Sequence, residues 1–242
     1  MADKATRDGF GEGLLELGKI HPHVVALSGD LEDSARASWF KKEYPNRFFS
    51  VGIAEQDMVG TAAGMAIAGK VPFACSFSQF VTAKSLEQLR LAVCYQKLNV
   101  KIVGSHGGLS VGADGATAEA LEEFAYMRAL PNMTVIAPCD ALEAKRATIA
   151  AADYPGPVFL RLGRAPVPAI TKESDGFRIG QANVLRQGDD VAIVACGVMV
   201  SHALQAADLL AKDDVHARVI NLHTIKPIDR LTLIAAAKET GA

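Results

Sequence analysis

Polar and aromatic side chains follow several apolar runs of this sequence, and some of them could take part in acid–base chemistry or ligand binding. Glu55 comes after the run 48–51, at the start of an apolar segment with helical spacing. A carboxylate at that place is commonly stabilised by the helix dipole alone. A partly buried carboxyl could instead share a proton with a ligand. Glu55 is therefore a candidate for proton chemistry, and both interpretations stay open.

Two phenylalanines lie three residues apart where the run 71–77 ends. Phe77 and Phe80 could be ordinary core residues. Around a turn from strand to helix, they could also form one wall of a pocket for a flat ring.

A histidine and a glycine-rich loop follow the run 100–104. His106 could be structural, or it could donate to an anionic or hydroxylated substrate. The loop 107–115 could be a mobile connection, although its glycines also allow close approach of the backbone to a ligand. Arg161 and Arg164 lie near the end of another run, and their guanidinium groups suit phosphate unless they are ordinary surface residues.

The elements that must position these residues alternate between strands and helices. Several runs are continuously apolar, which is typical of strands buried on both faces of a parallel sheet. We expect an α/β fold with an open, mainly parallel sheet flanked by helices, whose strand ends share one edge. The predicted strands are 24–28, 48–51, 71–77, 100–104, 133–137, 158–162, 191–196 and 219–222, and the predicted helices are 54–68, 83–97, 119–128, 141–152, 201–211 and 231–238.

The chain divides into two predicted units. Residues 1–170 hold the first unit, and a Pro-rich then polar linker at 171–188 runs into a short strand near 177–179. Residues 189–242 begin a second α/β unit, which we expect to be truncated. The glycine-rich segment 9–13 is not a phosphate loop, because no strand precedes it and no Lys-Ser/Thr pair follows.

Composition excludes several classes of protein. The 242 residues are 50% hydrophobic and 21% charged, which excludes a mainly disordered chain. A net charge of −2 offers no basic surface for nucleic acid, and no apolar stretch is long enough to cross a membrane. Four widely spaced cysteines argue against a disulfide scaffold or a zinc site. We expect a soluble, cytoplasmic protein.

Six segments, in this order and spacing, resemble the C-terminal half of transketolase, as found in the C-terminal subunits of split transketolases. They are 49–56 (FSVGIAEQ), 76–80 (SFSQF), the loop 106–115, 130–138 (LPNMTVIAP), 159–164 (FLRLGR) and 219–229 (VINLHTIKPID). The resemblance implies a pyrimidine-binding domain at 1–170 and the start of the transketolase C-terminal domain at 189–242.

The same resemblance implies an activity and a role for each site residue. Transketolases use thiamine diphosphate and a divalent metal to move a two-carbon ketol unit between ketose and aldose phosphates. Glu55 is implied as the carboxyl that favours the imino tautomer of the aminopyrimidine. The implied catalytic residues are Glu55 and His106, the implied cofactor-binding residues are Asp30, Glu55, Phe77 and Phe80, and the implied substrate-binding residues are Ser34, His106, Asp114 and Arg164.

Some family features are missing from this chain. The Gly-Asp-Gly motif followed by Asn-Asn, which holds the diphosphate and the metal, is not present. We therefore expect an N-terminal transketolase subunit as partner, carrying the ligands of Mg²⁺ or Ca²⁺, in an α2β2 assembly containing a homodimer of this chain. Ala83 replaces a third aromatic residue of the pyrimidine wall, and Ala118 replaces a histidine that contacts the donor. A half of a deoxyxylulose-phosphate synthase, a 2-oxo-acid dehydrogenase beta chain and a non-catalytic regulatory paralogue remain as alternatives.

Overall fold

The computed structural model describes residues 3–242, so the first two residues of the predicted unit 1–170 lie outside it. The described residues form twelve strands. In chain order they are β1 (Lys4–Ala5), β2 (Val24–Ser28), β3 (Phe48–Ser50), β4 (Val71–Phe77), β5 (Lys101–Ser105), β6 (Thr134–Ile136), β7 (Val158–Arg161), β8 (Pro166–Val167), β9 (Asn183–Arg186), β10 (Val191–Ala195), β11 (Ala217–Asn221) and β12 (Thr224–Lys226).

The helices lie between these strands. The α-helices are α1 (Thr6–Ile20), α2 (Ser38–Glu43), α3 (Glu55–Ile67), α4 (Leu86–Gln88), α5 (Glu123–Ala129), α6 (Ala141–Asp153), α7 (Met199–Leu210) and α8 (Arg230–Glu239). Short 3-10 helices cover Pro45–Arg47, Leu109–Asp114, Ala116–Ala118 and Ala211–Asp213, and π-helical turns cover Phe80–Lys84 and Leu89–Cys94.

Seven strands form the main sheet, in the order β12-β6-β7-β5-β4-β2-β3. All neighbours pair in parallel except β12, which is antiparallel to β6. Separate apolar clusters cover the sheet, one including Phe10, Leu14 and Phe40 and the other including Met58 and Leu89. The predicted fold class is confirmed. Among residues 3–242, no helix is both long and apolar enough to span a membrane.

Helix α1 was not predicted, because its glycines weaken the helical pattern of the sequence. Two of those glycines are needed for packing against α6. A Cβ atom on Gly9 would lie 1.8 Å from the main-chain oxygen of Ala141, and one on Gly13 would lie 2.8 Å from that of Lys145. Close contact between the two helix backbones therefore requires glycine at positions 9 and 13 of α1.

The predicted strand near 177–179 is wrong, since the strand in this region is β9. It pairs antiparallel with β11 in a small sheet of order β10-β11-β9. Phe177 and Ile179 instead pack against the apolar cluster under α1, and the Phe177 ring lies 4.4 Å from that of His223. These apolar residues anchor the connecting segment to the core.

Two predicted helices differ in detail from the observed ones. The region predicted as a helix at 83–97 consists of π-helical turns on either side of the short α4. The helix predicted at 119–128 begins only at Glu123, because the preceding residues form a loop with a 3-10 turn.

Candidate functional site

The carboxyl ends of the parallel strands bring most of the predicted site residues to one edge of the sheet. Glu55 follows β3, Phe77 ends β4, His106 follows β5 and Arg164 follows β7. Ligands bind at this edge in open parallel sheets. The contacts described below connect these residues into one continuous site.

Glu55 is the first residue of α3, and the residue is buried, with 3% of its surface exposed. Ser76 Oγ donates to Glu55 Oε1 over 3.3 Å, and Lys84 Nζ donates to Oε2 over 3.2 Å. Gly29 lies beside this side chain, and a Cβ there would be in ordinary van der Waals contact with Glu55 Cγ at 3.7 Å. A buried carboxyl with few partners retains capacity for another hydrogen bond.

Three rings stand in a row beside this carboxyl. The His106 and Phe77 rings stack with centroids 3.9 Å apart, and the Phe77 and Phe80 rings stack with centroids 5.6 Å apart. Phe77 is buried, whereas Phe80 is partly exposed. Phe80 therefore offers an aromatic surface to a ligand, and Phe77 supports it from behind.

An open cleft of about 270 Å³ lies beside Glu55. It is lined by Ile53, Ala54, Glu55, Gln56 and Lys84. A small aromatic ring carrying nitrogen atoms could lie here, with its edge on the Glu55 carboxyl and its face near Phe80. The residues present thus fit an aminopyrimidine.

His106 is buried and neutral at physiological pH. Burial, together with the nearby Arg7 cation, lowers its pKa to about 4. Arg7 Nη1 lies 3.4 Å from His106 Nε2, and Ser105 Oγ lies 2.7 Å from Nδ1. Since a guanidinium can only donate, Nε2 accepts and the Nδ1 proton is directed to Ser105.

Arg7 is a site residue that the sequence did not reveal. It lies on the unpredicted helix α1, and its Nη1 also donates to the main-chain oxygen of Ser34 over 2.9 Å. Its Nε is buried with no hydrogen-bond partner among residues 3–242. Burial and the nearby cations of Arg36 and Arg164 lower the pKa of Arg7. An unpartnered guanidinium N–H among positive charges is a favourable place for an anion.

Arg164 and Asp114 complete this side of the site. Arg164 Nε lies 3.7 Å from Asp114 Oδ2, and Arg164 Nη1 donates to the main-chain oxygen of Val111 over 2.5 Å. Both charged side chains are more than a third exposed. Arg7 contacts the main chain of Ser34 and the ring of His106, and Arg164 is near enough to lower the pKa of Arg7; the assignment of these residues to substrate binding stays a prediction.

Arg161 has a structural role in this fold. Its Nε donates to buried Glu123 over 2.9 Å, and a Cβ on Gly107 would lie 2.2 Å from that nitrogen. Gly107 thus leaves room for the Arg161 side chain beside the loop. Asp30 is exposed in a left-handed conformation with φ of 64°, and no hydrogen bond joins its side chain to the described part of the chain.

The two alanines that depart from the family pattern lie in different environments. Ala118 is buried against Phe77 and Val111, whereas Ala83 is exposed on the π-helical turn. Among residues 3–242, no group of three or more His, Cys, Asp or Glu side chains could hold a metal ion.

Comparison with known proteins gives consistent matches along the chain. Residues 2–169 match the family described as transketolase, pyrimidine binding domain, and residues 180–242 match transketolase, C-terminal domain. The chain is 45% identical over 228 residues to the putative transketolase C-terminal section of Methanocaldococcus jannaschii, covering 93% of this chain and 72% of that protein.

Two further matches extend over nearly the whole chain. One of the subunits of an apulose-4-phosphate transketolase from Phocaeicola vulgatus is 42% identical over 238 residues, which cover 98% of this chain and 76% of that protein. A solved structure described as a split gene transketolase, inactive beta4 tetramer, superposes with a TM-score of 0.92 at 44% identity. That match covers 100% of this chain and 78% of the solved one.

Proposed function

Because this chain belongs to the transketolase family, we propose that it is the C-terminal subunit of a split, thiamine diphosphate-dependent transketolase. Together with an N-terminal subunit, it transfers a two-carbon ketol unit from a ketose phosphate to an aldose phosphate. The observation that carries this proposal is the buried Glu55 carboxyl beside Phe80, on the same sheet edge as the cluster of Arg7, His106 and Arg164.

Glu55 and the aromatic row form the half of the site that binds the cofactor ring. When bound, thiamine diphosphate supplies an electron sink that allows the carbon–carbon bond beside a ketose carbonyl to break and re-form. Glu55 directs its buried carboxyl at a ring nitrogen, with which it can share a proton, and burial excludes the water that would compete for that hydrogen bond. Phe80 packs on the ring, Phe77 fixes Phe80, and Asp30 stays a proposed cofactor contact.

The arginine cluster forms the half of the site that binds the substrate. Arg7 and Arg164 bind the phosphate, with Ser34 beside them. Asp114 accepts from sugar hydroxyls at the edge of the loop. His106 is neutral, with its pKa lowered to about 4, and its Nε2 accepts from Arg7, so it holds that guanidinium at the substrate phosphate without adding a charge.

A partner subunit completes the proposed enzyme. The described residues hold no metal-binding cluster, and we assign the ligands of the divalent cation to the N-terminal subunit. The names of two relatives, one a C-terminal section and the other one of several subunits, support a divided enzyme. We propose an α2β2 assembly with a homodimer of this chain, working in the cytoplasm.

Co-purification with a transketolase N-terminal subunit tests this function. With thiamine diphosphate and Mg²⁺, the complex should transfer a ketol unit from a ketose phosphate to ribose 5-phosphate, whereas this chain alone should not. The donor panel includes apulose-4-phosphate, after the name of one relative. Glu55→Gln should remove the activity while the complex still assembles. No transfer from any donor, or decarboxylation of pyruvate instead, would refute the proposal.

A further inference from the structure

The positively charged partner of Glu55 is Lys84, which lines the cleft. Lys84 Nζ reaches Oε2 over 3.2 Å, and the lysine side chain is 49% exposed while that of Glu55 is 2% exposed. A buried carboxylate is costly without a compensating charge. Ser76 donates to the other oxygen over 3.3 Å, so Lys84 is the cation that compensates Glu55.

The same ammonium also lies over the neighbouring ring. Lys84 Nζ is 4.5 Å from the centroid of Phe80, within the range of a cation–π interaction. One side chain thus contacts both the carboxyl and the aromatic surface that the proposed function assigns to the cofactor ring. Because Glu55 and Lys84 both line the cleft, a ring that lay in it against the Glu55 carboxyl would meet the ammonium there.

The backbone fixes Lys84 at this place but leaves its side chain free to move. Lys84 ends the π-helical turn Phe80–Lys84, and its main-chain oxygen accepts from Gln56 Nε2 over 2.9 Å. This hydrogen bond ties the turn to the start of α3. A π-helical turn carries an extra residue, which places the lysine toward Glu55, and such turns are frequent at functional sites. A half-exposed lysine can swing into solvent at little cost.

We propose that Lys84 is a displaceable counter-ion of Glu55. It occupies the ring-binding cleft in the unloaded subunit and leaves when the aminopyrimidine ring binds. This inference rests on the proposed function and adds a positioning residue to it. Lys84 keeps the buried carboxylate compensated before assembly, and its removal from Glu55 is part of the free-energy cost of loading the cofactor.

Lys84→Met tests the inference, because methionine keeps much of the length and packing of lysine without the charge. In the co-purified complex, calorimetric titration with thiamine diphosphate should give a dissociation constant about two- to fivefold lower than in the wild type, the range expected for a partly exposed ion pair. Lys212→Met, at an exposed position in the 3-10 helix Ala211–Asp213, is the matched control and should leave the dissociation constant unchanged.

A second measurement detects the contact between Lys84 and Glu55 in the absence of the cofactor. In the full chain labelled with ¹³C at glutamate carboxyl groups, Lys84→Met should shift the resonance of Glu55, which is assigned by its loss in Glu55→Gln. Lys84→Gln repeats both measurements if the methionine variant is poorly folded.

The outcomes separate this inference from the function on which it rests. Unchanged or weaker cofactor binding in both Lys84 variants, or an unmoved Glu55 resonance, would overturn the role of Lys84 while leaving the proposed function intact. A wild-type complex that binds no thiamine diphosphate would overturn the proposed function and, with it, this inference.

Discussion

Replacement of Gly9 by alanine tests the packing that holds Arg7 at the site. The added Cβ would lie 1.8 Å from the main-chain oxygen of Ala141 and 2.6 Å from its carbonyl carbon. Both atoms belong to the backbone at the start of α6, so no side-chain rotation can relieve the overlap. The helices α1 and α6 would have to separate by roughly 1.5 Å to restore van der Waals contact.

Two opposing effects determine the size of the change. Overpacking of this kind costs typically 1–3 kcal/mol, and a clash with backbone belongs at the upper end, about 3 kcal/mol. Alanine in a helix interior is better than glycine by about 1 kcal/mol. We therefore expect Gly9→Ala to lower the free energy of unfolding by about 2 kcal/mol.

Gly64→Ala is the matched control in α3. A Cβ at Gly64 meets nothing within 4 Å, so this substitution should raise the free energy of unfolding by roughly 0.5–1 kcal/mol. Urea unfolding followed by circular dichroism measures both variants, at two protein concentrations to separate any effect of self-association. If Gly9→Ala were as stable as the wild type or as Gly64→Ala, the inference that α1 and α6 are in close backbone contact would be wrong.

Two further predictions concern Arg7 and the buried histidines. Arg7→Met should lower kcat/KM for phosphorylated donors roughly 30- to 100-fold, which is the loss expected for a hydrogen bond to a charged group. The same substitution should change kcat/KM for an unphosphorylated ketose little. Equal losses for both donors would contradict phosphate binding by Arg7. The pKa values of His106 and His223 are lowered to about 4, chiefly by burial, whereas burial raises the pKa of Glu143 to about 7. Between about pH 6.5 and 4.5, unfolding takes up protons on two histidines and releases one from Glu143, so the free energy of unfolding should fall as the pH falls. Urea unfolding measures this free energy at each pH. A rise in the free energy of unfolding as the pH falls over this range would refute the assignment.

The sequence predicted the sheet and much of the site because both depend on a simple pattern. Continuous apolar runs define parallel strands, and residues that directly follow such strands meet at one edge. Glu55, Phe77, His106 and Arg164 lie at that edge for this reason. The family resemblance, carried by the same segments, is confirmed by the matches over both parts of the chain.

The rest depended on contacts that no local pattern records. Arg7 reaches the site because glycines let α1 pack closely on α6, and the same glycines conceal the helix in the sequence. Lys84 meets Glu55 only because π-helical turns interrupt the helix predicted at 83–97. The prediction of a strand at 177–179 was wrong because Phe177 and Ile179 pack against the core and do not pair with another strand among residues 3–242.

Strand β12 has a consequence for the way this chain avoids unwanted association. It comes from the second unit, yet it pairs with β6 and thereby covers one border of the main sheet. Beside it, Lys226 Nζ donates to the main-chain oxygen of Arg128 over 2.8 Å and also contacts that of Leu130. An uncovered β6 would present free N–H and C=O groups as a template for strands of other molecules. The second unit therefore covers β6, and a fragment ending before β12 would expose the backbone groups of β6 that now pair with β12.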